Sequence, residues 1–431
     1  MATKPRKMGK AGMETTIPTP PPAPDGDPVR YGLYGNGHTS IEYLTRATPS
    51  TKLGITFSSY GDLDLSQPGF AEDFLIERGY DVLTLKCNIN NWFQDVSADV
   101  LKSVMGQLPA YDEIITYGSS MGGYAAMYFA QTVGARTCIA LSPQFSIDPS
   151  IVSFESRWAG DAARIHFTHE RLDDMIVHGG TTYYVLFDPH TLDKQHAEMM
   201  TAACNRVLAI AVPHSGHPSI LALQEMELLA GVFDSLAVGQ IPDLGVEAHK
   251  HRRNSPSYFY SLAHSCLDKG KLATAERLLA HACEISDRAD IQLSYSRVLL
   301  RCAKVKKALD MLDLAWPKLH HNPHLIAYRA HLQHLNGQID EACQSFETAI
   351  AKQPDFLPFY QGERAMLKET LKRYENEKRL REAALARARA ELEMHNGQSP
   401  RTSRSLLIAL AFAPLFIIAI LISVAITLSI V

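Results

Sequence analysis

Short apolar runs rich in β-branched residues alternate with stretches of helical period between about residues 29 and 245. The runs at 52–58 (KLGITFS), 81–85 (DVLTL), 113–117 (EIITY), 136–141 (RTCIAL), 182–187 (TYYVLF) and 207–212 predict strands. Between them, 70–78 (ended by Gly79), 100–108, 121 to about 133, 196–203 and 218–236 predict helices. Strands bounded by helices in this order predict a doubly wound, mostly parallel sheet with helices on both faces, over residues 29–247. A polar, basic stretch at 249–254 (HKHRRN) marks the expected end of that domain.

Beyond it the pattern holds no strand period, and it repeats. Ala275, Ala308 and Ala342 each open an alanine–x–x–x–large pattern completed by Leu279, Leu312 and Phe346. A second small residue follows each, at Ala282, Ala315 and Ala349. Small residues let paired helices approach closely, and the large one fills the gap they leave. With Gly270 and Gly337 at equivalent turns and Pro354 closing the third unit, residues 255–358 resemble tetratricopeptide repeats, helix–turn–helix units of about 34 residues. That resemblance implies an all-α domain that docks a protein partner. It is better in the second helix of each unit than in the first.

Residues 359–398 are rich in Glu, Arg, Ala and Lys and predict a long charged helix or stalk. The last segment, 405–431, is uncharged from Leu406 onward and dominated by Leu, Ile, Ala, Val and Phe. It exceeds the roughly 20 residues needed to cross a hydrocarbon core, so a transmembrane helix is expected. Lys368, Lys372, Arg373, Arg401 and Arg404 precede it and no charge follows. The positive-inside rule therefore predicts a C-terminally anchored, single-pass protein whose other domains face the cytoplasm. The first 28 residues are basic and proline-rich without an apolar core, and read as a disordered leader.

Composition narrows the partners. The formal net charge of −4 argues against nucleic acid, as does the lack of a basic stretch interleaved with aromatics. The seven cysteines form no CxxC pair, so neither a zinc site nor another metal is expected, and they read as reduced thiols. No phosphate-cradling or dinucleotide fingerprint occurs, and no cofactor is expected.

The strongest chemical signal is Gly118-Ser119-Ser120-Met121-Gly122-Gly123, a G-x-S-x-G sequence between the predicted strand 113–117 and a helix. A serine on a strained strand-to-helix turn projects its hydroxyl above the sheet, and Gly118 and Gly122 give the turn room. In this setting the chain resembles the α/β-hydrolase superfamily over residues 53–236. The resemblance implies a serine nucleophile, Ser120, followed in chain order by an acid and a histidine. His217, after a glycine and before a helix, is the preferred histidine, with His214 as the alternative. Asp193, on the loop beyond the strand at 182–187, is the preferred acid, with Asp188 at the strand tip as the alternative. The oxyanion would meet the amide of Met121 and one from Ser59 or Tyr60.

Residues 142–180 leave room for a small cap holding Phe154, Trp158 and Phe167; an apolar lid over the acyl pocket is one reading, and core packing is the preferred one for any single aromatic. Asn91 and Trp92, on the NINNWFQ loop at 88–94, are candidate substrate contacts because ligands bind outside the carboxyl ends of parallel strands. Two functions follow. One is a membrane-tethered serine hydrolase of esterase, thioesterase or acyl-transfer type, acting on a small acyl or ester substrate. The other is a catalytically silent hydrolase-like scaffold serving as a membrane-anchored interaction platform.

Overall fold

A computed structural model describes residues 28–352, apart from 47 and 49, and scattered positions between 372 and 387. The predicted leader, most of the stalk and the segment 405–431 lie outside the described residues. Among the described residues no helix is long and apolar enough to cross a membrane.

The first compact unit runs to Ala315. It opens with β1 (Val29–Gly35) and β2 (Thr39–Thr45), a hairpin that the strand reading above omits. The sheet continues with β3 (Lys52–Phe57), β4 (Asp81–Cys87), β5 (Glu113–Ser119), β6 (Thr137–Leu141), β7 (Thr182–Phe187) and β8 (Val207–Ala211). The eight strands lie in the order β1-β2-β4-β3-β5-β6-β7-β8. β2 pairs antiparallel with both β1 and β4, and every pairing from β4 to β8 is parallel. All seven residues of β4 are buried, as a strand covered on both faces requires.

Helices cover both faces. On one, α1 (Glu72–Glu77), α7 (Ser219–Glu225) and α8 (Leu229–Ala237) bury Leu75, Leu223 and Phe233 against Val82, Tyr117 and Leu186. On the other, α2 (Ala98–Met105), α3 (Met121–Phe129) and α6 (Asp193–Ala203) bury Leu101, Phe129 and Met200 against Leu83, Phe57 and Val185. The cap segment contributes only two short helices, α4 (Ala159–Ala162) and α5 (Leu172–Ile176). The single helix expected over 218–236 is broken between α7 and α8, where Glu227 takes a left-handed conformation at φ 58°. This eight-stranded, mostly parallel sheet flanked by helices fits an α/β-hydrolase architecture.

The expected domain boundary is itself helical: α9 (Leu244–His251) runs into a single 3-10 turn at Arg252–Asn254. Only helices follow: α10 (Pro256–Asp268), α11 (Leu272–Glu284), α12 (Ala289–Arg301) and α13 (Val305–Leu319). Ala263, Ala275, Leu279 and Ala282 form a closed apolar seam between α10 and α11. In the second unit, from Trp316, α14 (Pro323–Leu335) packs on α15 (Ile339–Lys352) through Ile326, Ala330, Phe346 and Ala349. Helices α10, α12 and α14 start 33 and then 34 residues apart, as do α11, α13 and α15. The alanine–large–alanine positions read from the sequence are buried in all three second helices.

Candidate active site

β5 delivers Ser120 to the carboxyl edge of the sheet, and α3 starts at the next residue. Ser120 has φ 53° and ψ −119°, a backbone conformation that costs of order 1–3 kcal/mol for a side chain other than glycine. Its amide donates to Leu141 O at 2.8 Å and its carbonyl accepts from Tyr124 at 3.0 Å, so the turn is held from both sides. The flanking glycines are sterically obligatory. A Cβ on Gly118 would lie 2.1 Å from Gly122 O, and one on Gly122 would lie 2.4 Å from Phe57 O. Met121 opens α3, whose first-turn amides lack intrahelical acceptors.

The loop after β8 brings His217 over this turn. Its Nε2 is 2.9 Å from Ser120 Oγ, and its Nδ1 is 2.8 and 3.0 Å from the two oxygens of Asp193. Asp193 is the first residue of α6 and is buried. Burial pushes its carboxyl up, but the charge and hydrogen bond of His217, then those of Arg157, more than offset this and hold it below the usual carboxylate range. An ionised Asp193 accepts from Nδ1–H, which leaves the Nε2 lone pair facing the serine hydroxyl.

Asp188 makes no hydrogen bond to His217. It accepts from the amides of His190 (3.0 Å), His214 (3.1 Å) and Gly216 (2.7 Å) and from the Ser261 hydroxyl (2.9 Å). It therefore braces the loop that carries His217 against α10. Gly216 takes φ 73°, a left-handed position suited to glycine. The alternative histidine, His214, stacks on His190 with ring centres 4.2 Å apart and meets the edge of Tyr258, so its ring serves loop packing.

The cap supplies a buried charged network that no local sequence pattern announces. Arg157 Nη1 donates to Asp193 at 2.7 Å, and its Nη2 donates to Glu155 at 2.6 Å. Glu155 also accepts from His196 Nε2 at 2.9 Å. The tautomer of His196 is fixed, because the Phe145 amide donates to its Nδ1 at 3.1 Å. Burial would raise the Glu155 carboxyl, yet the His196 and Arg157 hydrogen bonds lower it to about 2. Its folded value lies below its unfolded one, so its stabilisation is full above the unfolded value and is lost as pH falls toward the folded one. Thermal midpoints are expected to fall between about pH 5 and pH 2. Glu155→Gln should start lower at neutral pH and show a shallower acid decline. Parallel declines in circular-dichroism melts would contradict this.

Other sequence candidates take different places. Tyr60, Trp92 and Trp158 form an aromatic wall, with Tyr60 and Trp158 ring centres 4.5 Å apart and Trp158 5.8 Å from the His217 ring. The Tyr60 hydroxyl donates to Asp161 at 3.1 Å, and the Ser59 hydroxyl to Ser119 O at 3.3 Å. Asn91, a candidate substrate contact, is tied into its own loop. Its amide donates to Asp95 at 2.7 Å and its side-chain oxygen accepts from the Phe93 amide, so it shapes the loop. Trp92, expected beside it, is buried at 1% exposure, and its N–H reaches Gln144. Phe154 and Phe167 pack against the core, as expected of cap aromatics.

No family model and no curated protein matches the chain. Among solved structures it is similar to Est1E from Butyrivibrio proteoclasticus (13% identity, TM-score 0.36, covering 49% of this chain and 99% of that one). It is also similar to the capsule O-acetyltransferase of Neisseria meningitidis serogroup A (12%, 0.33, 46% and 93%). A third likeness is to the Staphylococcus aureus fluorophosphonate-binding serine hydrolase F (14%, 0.31, 44% and 91%).

Proposed function

We propose that this chain is a serine hydrolase or acyl transferase acting on a small ester or thioester. The observation that carries the reading is the continuous contact from Ser120 Oγ through His217 to Asp193 at hydrogen-bond distances. In that geometry His217 Nε2 takes the hydroxyl proton as Oγ bonds to the acyl carbon, and the carbonyl π pair moves onto oxygen. The Met121 amide, with that of Ser59 or Tyr60, meets the resulting oxyanion. His217 then gives its proton to the leaving group. Water or an acyl acceptor, deprotonated by His217, releases the acyl group and restores Ser120. Arg157 fixes the Asp193 carboxylate, and Trp158 lies beside the His217 ring.

The repeat helices, read as tetratricopeptide-like, would dock a protein partner. The segment 405–431 would hold the assembly on the cytoplasmic side of a membrane. Deleting 405–431 should turn a membrane-pelleting protein into a soluble one; continued pelleting would exclude this anchor.

Turnover of p-nitrophenyl acetate and of a short acyl thioester, with and without an alcohol acceptor, tests the chemistry. Product release above the uncatalysed rate is expected. A folded protein that turns over neither substrate would instead match the silent scaffold.

A further inference from the structure

We infer that Gln144 is a further catalytic residue, an amide donor aimed at the nucleophile oxygen, with Trp92 as the residue that positions it. The inference rests on the hydrolytic reading above. Gln144 lies in the loop after β6 and is fully buried. Its Oε1 accepts from the Trp92 indole N–H at 3.1 Å. Its Nε2 lies 3.3 Å from both Ser142 O and Ser120 Oγ.

The amide has one allowed orientation. An indole nitrogen only donates and a backbone carbonyl only accepts, so flipping the amide would set donor against donor at Trp92 and acceptor against acceptor at Ser142. Gln144 must therefore donate to Ser120 Oγ. That leaves the serine's own hydrogen for His217 Nε2, whose Nδ1–H is committed to Asp193. Every hydrogen bond from Trp92 to Asp193 runs in one direction, and the direction makes Ser120 the proton donor to the base.

At 3.3 Å the Gln144–Ser120 contact is long for a neutral pair, and it strengthens as negative charge gathers on Oγ. Charge gathers there when the acyl–enzyme bond breaks: the carbon–Oγ pair returns to oxygen and His217 hands its proton to it. Gln144 keeps both its protons throughout and stabilises the departing oxygen. An interaction stronger in the transition state than in the ground state raises kcat more than it lowers KM.

The test uses the full chain and p-nitrophenyl acetate. Gln144→Leu, and the unbranched Gln144→Met that has no donor, should each lower kcat by about 10- to 100-fold with KM nearly unchanged. Trp92→Phe keeps the ring but frees the amide and should lose less. In the Gln144→Leu background, Trp92→Phe should add no further loss. Thermal melts identify any variant that fails to fold. Wild-type kcat in both Gln144 variants, or an undiminished Trp92→Phe effect in the Gln144→Leu background, overturns the inference while leaving the hydrolytic reading intact. A wild type that forms no acyl adduct on Ser120 overturns that reading and the inference with it.

Discussion

Asp193→Asn is expected to lower kcat by about 10⁴-fold without unfolding the protein. The carboxylate accepts from His217 Nδ1–H and is the counter-charge of Arg157. An amide there favours the imidazole tautomer that points its N–H at Ser120, so the base loses the lone pair it needs. Arg157 keeps Glu155 as a partner, so the fold persists. Asp188→Asn should behave in the opposite way. Four donors converge on that buried carboxylate, and an amide with one acceptor oxygen strands part of them at about 1–3 kcal/mol each. Its main effect should be a lower thermal midpoint, with kcat per folded molecule falling far less. Equal kcat losses at the two positions would contradict the assignment of Asp193 as the acid.

Gly122→Ala is expected to cost about 3 kcal/mol or more of stability and to abolish activity. The new methyl would stand 2.4 Å from Phe57 O and 2.9 Å from Ser58 O. Both neighbours are backbone at the end of β3, so the clash cannot be relieved by a side-chain rotation. Either α3 moves off the sheet or β3 shifts its register, and Ser120 moves with them. Gly160→Ala is the control. Nothing lies within 4 Å of that position, which sits in α4, so stability should hold or rise slightly. A Gly122→Ala protein melting like wild type would show that the turn tolerates more bulk than its geometry allows.

The central parallel strands were legible because strands covered on both faces are rich in apolar residues, as β7 is from Tyr183 to Leu186. The β1–β2 hairpin was not read, although Ile41 and Tyr43 are buried in period two along β2. Its edge partner alternates half-buried and exposed residues and carries little signal. The break between α7 and α8 has neither Gly nor Pro to announce it. Ser120, His217 and both aspartates were legible because each follows the end of a predicted strand. Sequence could not choose between Asp193 and Asp188, which share one loop. Their separation follows from three-dimensional placement: Asp193 opens α6 under His217, whereas Asp188 turns toward the amides of the histidine loop. Gln144, Arg157, Glu155 and His196 were missed because their partners are distant in sequence and form no spaced motif. The hydrogen bond of Asn91 to Asp95 was not legible either, because a loop asparagine at a strand's carboxyl edge looks the same in sequence whichever partner it takes.

The relay itself is tested most directly by locating covalent capture. The full chain treated with a fluorophosphonate probe and digested should carry the adduct on Ser120, and His217→Ala should slow labelling by orders of magnitude. An adduct confined to another residue, or labelling at Ser120 that proceeds unchanged without the imidazole, would contradict the proposed chain from hydroxyl to carboxylate.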